Sequence, residues 1–135
     1  MSPVYDVLVV DDSSLNRKML RKIFLTSGYD CDDANDGLCA IEKVKERLNR
    51  TVGKRSYDAI LMDFVMPNMN GPTATEEIRK LGYKGLIFGV TGNFLDSDVT
   101  YFINRGADAV LSKPFDPTIF HKIMREKYVP ESVRI

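Results

Sequence analysis

Four short apolar runs in this chain each lead to a residue able to do chemistry. Val7-Leu8-Val9-Val10 stops at Asp11-Asp12, and Ala59-Ile60-Leu61-Met62 stops at Asp63. Leu86-Ile87-Phe88-Gly89-Val90 stops at Thr91, and Ala109-Val110-Leu111 leads through Ser112 to Lys113. Apolar runs without polar alternation are strands buried on both faces, as in a parallel sheet. The residue ending such a strand sits at its carboxyl end, where open α/β sheets bind ligands. A lone Asp there reads as a strand terminator; four such endings together read as a site.

The residue types define the chemistry. Three carboxylates within a few ångströms repel one another by roughly 4 kcal/mol per pair at an effective dielectric near 20. They stay ionised together when a cation sits among them. An all-oxygen donor set with room for water suits Mg²⁺. A carboxylate beside Mg²⁺ and an ammonium is a nucleophile toward phosphorus, and aspartyl phosphates are known intermediates. Asp63 needs no general base, being ionised at neutral pH. Catalysis is then positioning and charge neutralisation.

Helices must alternate with these strands to hold them parallel. Ser13 or Ser14 caps the first, with Leu15, Met19, Leu20, Ile23 and Phe24 at helical spacing and Gly28 at its end. Tyr29 to Asp33 is a polar strand, which belongs at a sheet edge. Asn35 or Asp36 caps the second helix, whose inner face is Ala40, Ile41, Val44 and Leu48. Lys45, Arg47, Arg50, Lys54 and Arg55 read as a solvated basic face and loop. Pro72 suits the first turn of a third helix, with Ala74, Ile78 and Leu81 inward. A fourth covers Leu95 to Asn104, with Val99, Phe102 and Ile103 inward. Asp116 and Pro117 open a fifth, carrying Ile119, Phe120, Ile123 and Met124; Pro130 ends any continuation past Tyr128.

Five strand–helix repeats predict a doubly wound, flavodoxin-like α/β fold: a five-stranded parallel sheet of order 2-1-3-4-5 with five helices. The expected divisions are an arm over 1–6, one domain over 7–128, and a tail or linker stub over 129–135.

Composition narrows the class. With 135 residues, 44% hydrophobic and 28% charged, the chain suits one soluble domain with a real core. Lys plus Arg and Asp plus Glu are both 19, so no global field draws it to nucleic acid or anionic lipid. No apolar run is long enough to span a bilayer and no leader opens the chain, which predicts a cytoplasmic protein without membrane contact. Cys31 and Cys39 lack metal or redox spacing and read as reduced thiols; His121 has no second metal ligand near it in sequence. Asn49-Arg50-Thr51 matches a glycosylation acceptor by chance.

VLVVDDS, ILMDFVMPNMNG, GVTGN and VLSKPF resemble, in order, the signature segments of the receiver domain of two-component response regulators. The resemblance runs from about Val7 to Tyr128. It implies that Asp63 is the phosphoacceptor, and that Asp12, Asp63 and the backbone carbonyl of Val65 ligate Mg²⁺ directly, with Asp11 acting through metal-bound water. It further implies that Thr91 hydrogen-bonds the phosphoryl group, that Lys113 pairs with it, and that a cis bond precedes Pro114. The implied partner is a histidine kinase or a histidine phosphotransfer protein. It would touch Leu15, Asn16 and Met19 and the loops around Phe64, Pro114 and Phe115. The chain itself is expected to be a monomer or weak dimer.

Two positions depart from the family. Val110 stands where the familiar switch carries Tyr or Phe, and a small branched side chain does not make the same swing. Val65 and Asn93 flank the path of an attacking water, and apolar Val65 does not position it. An aspartyl phosphatase of the haloacid dehalogenase type needs a second Asp two residues past its nucleophile, where this chain has Val65. A binding module that keeps the fold without phosphorylation is the third reading, opposed by the intact set Asp11, Asp12, Asp63, Thr91 and Lys113. Within the receiver reading, Val110 and Gly-Val-Thr-Gly-Asn lean toward the receiver of a hybrid histidine kinase; the alternative is a stand-alone regulator acting by phosphorylation-dependent partner binding.

Overall fold

The computed structural model describes residues 4–50 and 53–133. Met1–Pro3 of the expected arm, Thr51 of the glycosylation match and Arg134–Ile135 of the expected tail lie outside them. Strands β1 (Asp6–Val10), β2 (Asp30–Ala34), β3 (Ala59–Asp63), β4 (Leu86–Thr91) and β5 (Ala109–Ser112) form one parallel sheet of order β2-β1-β3-β4-β5. Helices α1 (Ser14–Thr26), α2 (Gly37–Leu48), α3 (Gly71–Lys80), α4 (Asp96–Arg105) and α5 (Pro117–Lys127) alternate with them. The architecture is the one the alternation predicts.

Successive strand residues serve opposite faces. Leu8, Val10, Ile60, Met62 and Ile87 pack with Ala40, Val44, Ala74, Ile78 and Phe102 of α2, α3 and α4. Val7, Val9, Leu61, Phe88 and Val90 pack with Leu20, Phe24, Phe120 and Met124 of α1 and α5. Helix starts are fixed by side-chain caps: Ser13, Asp36, Asn70 and Asp116 accept from Asn16, Cys39, Thr73 and Thr118 amides respectively. Gly28, just past α1, adopts φ 85°, which turns the chain into β2.

The edge strand begins one residue later than expected, at Asp30, and its polarity is answered by basic neighbours. Arg17 pairs with Asp33 at 2.8 Å, while Lys43 and the Tyr57 hydroxyl reach Asp32 at 3.0 and 2.8 Å. Both cysteines are unbridged, and burial pushes the Cys31 thiol up to about 12.

Several helix stripes are narrower than their periodicity. Leu15, Met19, Leu81, Ile103 and Ile119 are exposed rather than inward, leaving Leu20, Phe24, Ala74, Ile78, Phe102, Phe120 and Met124 as the buried set. The basic run is also not a solvated face throughout. Arg47 is 5% exposed, pairs with Asp6 at 2.7 Å and lies over the Tyr57 ring. Arg55 binds Asp58 through two nitrogens. Arg47 is tied by a residue 41 positions away, Arg55 by one three positions on.

His121 packs edge-on against Tyr29, its Nδ1 2.7 Å from the tyrosine hydroxyl. Burial, assisted by Arg125, holds this imidazole below its ordinary value. A histidine depressed in the folded state contributes stability that is present above its unfolded pKa, near 6.5, and is lost as pH falls through the folded value. Acid titration from pH 7 to 5 is therefore expected to narrow the stability gap between wild type and His121→Gln; a gap constant over that range in urea melts would contradict this.

Candidate functional site

The carboxyl ends of β1, β3, β4 and β5 meet at one rim. Asp11, Asp12 and Asp63 each offer a carboxylate oxygen within 4.8 Å of the others; Asp11 and Asp63 are buried and Asp12 is exposed. Asp11 is held from α1: the Ser13 amide donates to it at 2.9 Å and Asn16 Nδ2 at 3.5 Å, while Arg17 Nη1 donates to its carbonyl. Asp63 accepts from the Phe64 amide at 3.1 Å and pairs with Lys113 Nζ at 2.9 Å. The peptide between Lys113 and Pro114 is cis, and the Lys113 amide donates to the Thr91 carbonyl at 2.9 Å.

These charges perturb one another. Burial pushes the Asp63 carboxyl above its ordinary value; Lys113 opposes that, and Asp11 and Asp12 add to it. Partial burial acts to lower Lys113, but the bond to Asp63 and the charges of Asp63, Asp11 and Asp12 together outweigh it, and the ammonium is held above its usual range. Three carboxylates against one ammonium make an oxygen-rich pocket short of positive charge. That donor set fits a hard divalent cation.

The Asp63–Lys113 pair forms a wall shared by two clefts. One, of about 170 Å³, is bounded by Asp11, Asn16, Met19, Lys113, Pro114 and Phe115. The other, of about 320 Å³, is bounded by Val65, Thr91, Asn93, Asp98 and Lys113. Thr91 is buried, and its hydroxyl donates to the Asn93 carbonyl at 3.0 Å while accepting from the Asn93 amide. Val65 is 74% exposed at the mouth of this cleft. Phe64 packs edge-on to Phe102 and Tyr101, and Val110 is half-buried against the α2–α4 side of the core. Leu15 and Met19, 75% and 52% exposed, stand at the rim on α1.

Sequence reasoning missed Asp98, a first-turn acid of α4 that lines the second cleft. Nothing in the sequence separates it from an ordinary acid favoured by a helix N-terminus. Arg17 donates from Nη1 to the Asp11 carbonyl and from Nε to Asp33, the second contact requiring β2 to lie next to β1.

Residues 7–125 match the family described as response regulator receiver domain. This chain is a receiver domain. It is 35% identical over 123 residues to transcription factor SKN7 of Candida albicans, covering 91% of this chain and 21% of that protein. It is 38% identical over 108 residues to sensor histidine kinase RcsC of Salmonella typhimurium, covering 80% of this chain and 10% of that protein. The receiver domain thus spans only a small part of these curated relatives. Among solved structures, it is similar to the receiver domain of the Arabidopsis thaliana histidine kinase CKI1 complexed with Mg²⁺, at 31% identity and TM-score 0.80, with 90% of each chain covered. Vibrio cholerae chemotaxis protein CheY4 is similar at 26% identity and TM-score 0.78, over 92% of this chain and 98% of that one. Receiver domains are signalling switches. None of the helices among the described residues is long and apolar enough to cross a membrane.

Proposed function

We propose that this receiver domain accepts a phosphoryl group from phosphohistidine onto Asp63. The observation that carries the reading is a buried carboxylate paired to Lys113 at 2.9 Å, with oxygens of Asp11 and Asp12 within 4.8 Å. In transfer, an Asp63 carboxylate oxygen forms the new bond to phosphorus as the P–N bond breaks, its electron pair returning to the donor imidazole. Lys113 offsets charge on the acceptor and the phosphoryl oxygens. Thr91 needs only to turn its hydroxyl from the Asn93 carbonyl to donate to the phosphoryl group. Asp11, Asp12, Asp63 and the carbonyl of Val65 would hold Mg²⁺, which when bound neutralises phosphoryl charge.

Residues 7–128 act as the receiver unit, cytoplasmic and monomeric or weakly dimeric, between an arm and a tail. The donor, a histidine kinase or histidine phosphotransfer protein, docks on Leu15, Asn16 and Met19 with Phe64, Pro114 and Phe115. Exposed apolar side chains on α1 beside the first cleft support that surface. The domain catalyses its own phosphorylation and dephosphorylation without being a turnover enzyme. Val110 lacks the aromatic swing, which favours onward phosphotransfer in a hybrid kinase such as RcsC; resemblance to SKN7 keeps a stand-alone or transcription-coupled regulator as the alternative.

A crystal soaked with Mg²⁺ and beryllium fluoride tests the assignment. The fluoride complex is expected on an Asp63 carboxylate oxygen, within reach of Lys113 and Thr91; its appearance on Asp11 or Asp12 would overturn the reading. Val65 and Asn93 set the lifetime of the product. Val65→Asn is expected to shorten the aspartyl-phosphate half-life about fivefold, the rate equivalent of one water hydrogen bond worth about 1 kcal/mol. A wild-type half-life no longer than the variant's, followed by loss of label, would contradict this.

A further inference from the structure

α1 carries Arg17, Lys18, Arg21 and Lys22 and no acidic residue, in a chain whose formal net charge is zero. Arg17 turns inward to Asp33 and the Asp11 carbonyl. Lys18, Arg21 and Lys22 are exposed, and none makes a hydrogen bond or ion pair among the described residues. Some bases elsewhere on the surface are matched by acids: Lys80 and Arg105 by Glu76, Arg50 by Glu131. α5, on the same side of the sheet, adds exposed Lys122 and Arg125.

Geometry turns these charges into a ridge. At helical spacing Lys18 and Lys22 point away from buried Leu20 and Phe24, with Leu15 and Met19 on one flank and Arg21 and Leu25 on the other. α1 opens next to the Asp11-Asp12 rim, so the ridge runs outward from the crevice. Lys18 lies about 6 Å and Lys22 about 12 Å along the axis from Ser14.

A solvated face explains lysines but not the exposed Leu15, Met19 and Leu25 among them; a docking face explains both. The crevice also sets an electrostatic requirement. Three carboxylates face an incoming phosphohistidine, itself anionic, with Lys113 the ammonium among them. With Mg²⁺ held there the crevice would be close to neutral, so longer-range attraction falls to charges beyond the rim; on α1, Lys18, about 6 Å from Ser14, lies within a Debye length of about 8 Å of the helix start at physiological ionic strength.

We infer that the outer face of α1 docks an acidic patch on the phosphohistidine-bearing partner, lying opposite the stretch about 6–12 Å along the helix from Ser14. The inference rests on the phosphoacceptor reading for its partner and adds the partner's surface chemistry. Binding rather than transfer tests it, so that failure of phosphorylation at Asp63 stays separate. Unphosphorylated histidine phosphotransfer domains, a set ranging from acidic to basic around the histidine, are titrated into wild type, Lys18→Glu/Arg21→Glu/Lys22→Glu, and the corresponding triple Gln variant. The Gln variant preserves helix propensity and shows whether lost charge alone weakens binding. Affinity for wild type is expected to rise with the domain's acidity and fall with salt. The Glu variant should bind the acidic domains at least about tenfold more weakly and lose the ranking, with Gln intermediate. An unranked set, or a ranking and salt slope unchanged in both variants, would overturn the inference. Labelling of the same variants by phosphoramidate reads the phosphoacceptor assignment independently, since that donor needs no docking face.

Discussion

Replacing Gly71 with alanine is expected to destabilise the domain by about 3 kcal/mol or more, at the upper end of overpacking costs. A methyl group there would overlap the backbone carbonyl of Asp63 and come within 2.8 Å of the Phe102 ring. Neither neighbour can yield. The carbonyl belongs to the last residue of β3, and Phe102 is wholly buried on α4, pressed also against Gly89. The Gly71 amide meanwhile donates to the Phe64 carbonyl at 2.8 Å, which closes the loop carrying Val65. Gly92→Ala is the contrast: its nearest neighbour is the Lys113 side chain at 4.0 Å, and a change within about 0.5 kcal/mol is expected. Urea denaturation of both variants checks the pair; equal stabilities would refute the close approach at Gly71.

Lys113→Met is expected to slow labelling of Asp63 by a small phosphodonor by about two orders of magnitude, the cost of deleting one preorganised positive donor. The pH profile should move as well. Burial already raises the Asp63 carboxyl, and Lys113 is the group holding it down against Asp11 and Asp12. Without the ammonium the carboxyl rises further, so the acid limb of the labelling rate shifts to higher pH. The stability effect should be slight, because Lys113 is more than a third exposed and its ion pair is screened by solvent. A variant labelled at the wild-type rate with an unmoved acid limb would remove Lys113 from the site.

Much of this arrangement is legible in the chain because the deciding signals are local. Ala59–Met62 is uniformly apolar and stops at a carboxylate, so strand, burial and position follow from five consecutive residues. Ser13, Asp116 and Pro117 announce helix starts in the same way. What stayed hidden depends on residues far apart in sequence. Leu15 and Met19 recur at the four-residue spacing of α1, but they flank its outward face and stand clear of the buried stripe of Leu20 and Phe24. Arg47 looks like any surface arginine until Asp6 and Tyr57 arrive on either side of it. The insertion of Phe102 between Gly71 and Gly89 joins three elements, and neither glycine signals it alone.

The most direct test of the central claim is intact-mass measurement after incubation with phosphoramidate, with and without Mg²⁺, on wild type and Asp63→Asn. The expected result is a single phosphoryl group on wild type, formed in the presence of Mg²⁺ and absent from the variant. Labelling of Asp63→Asn to the wild-type extent, or a wild-type label that forms equally well without the metal, would contradict it.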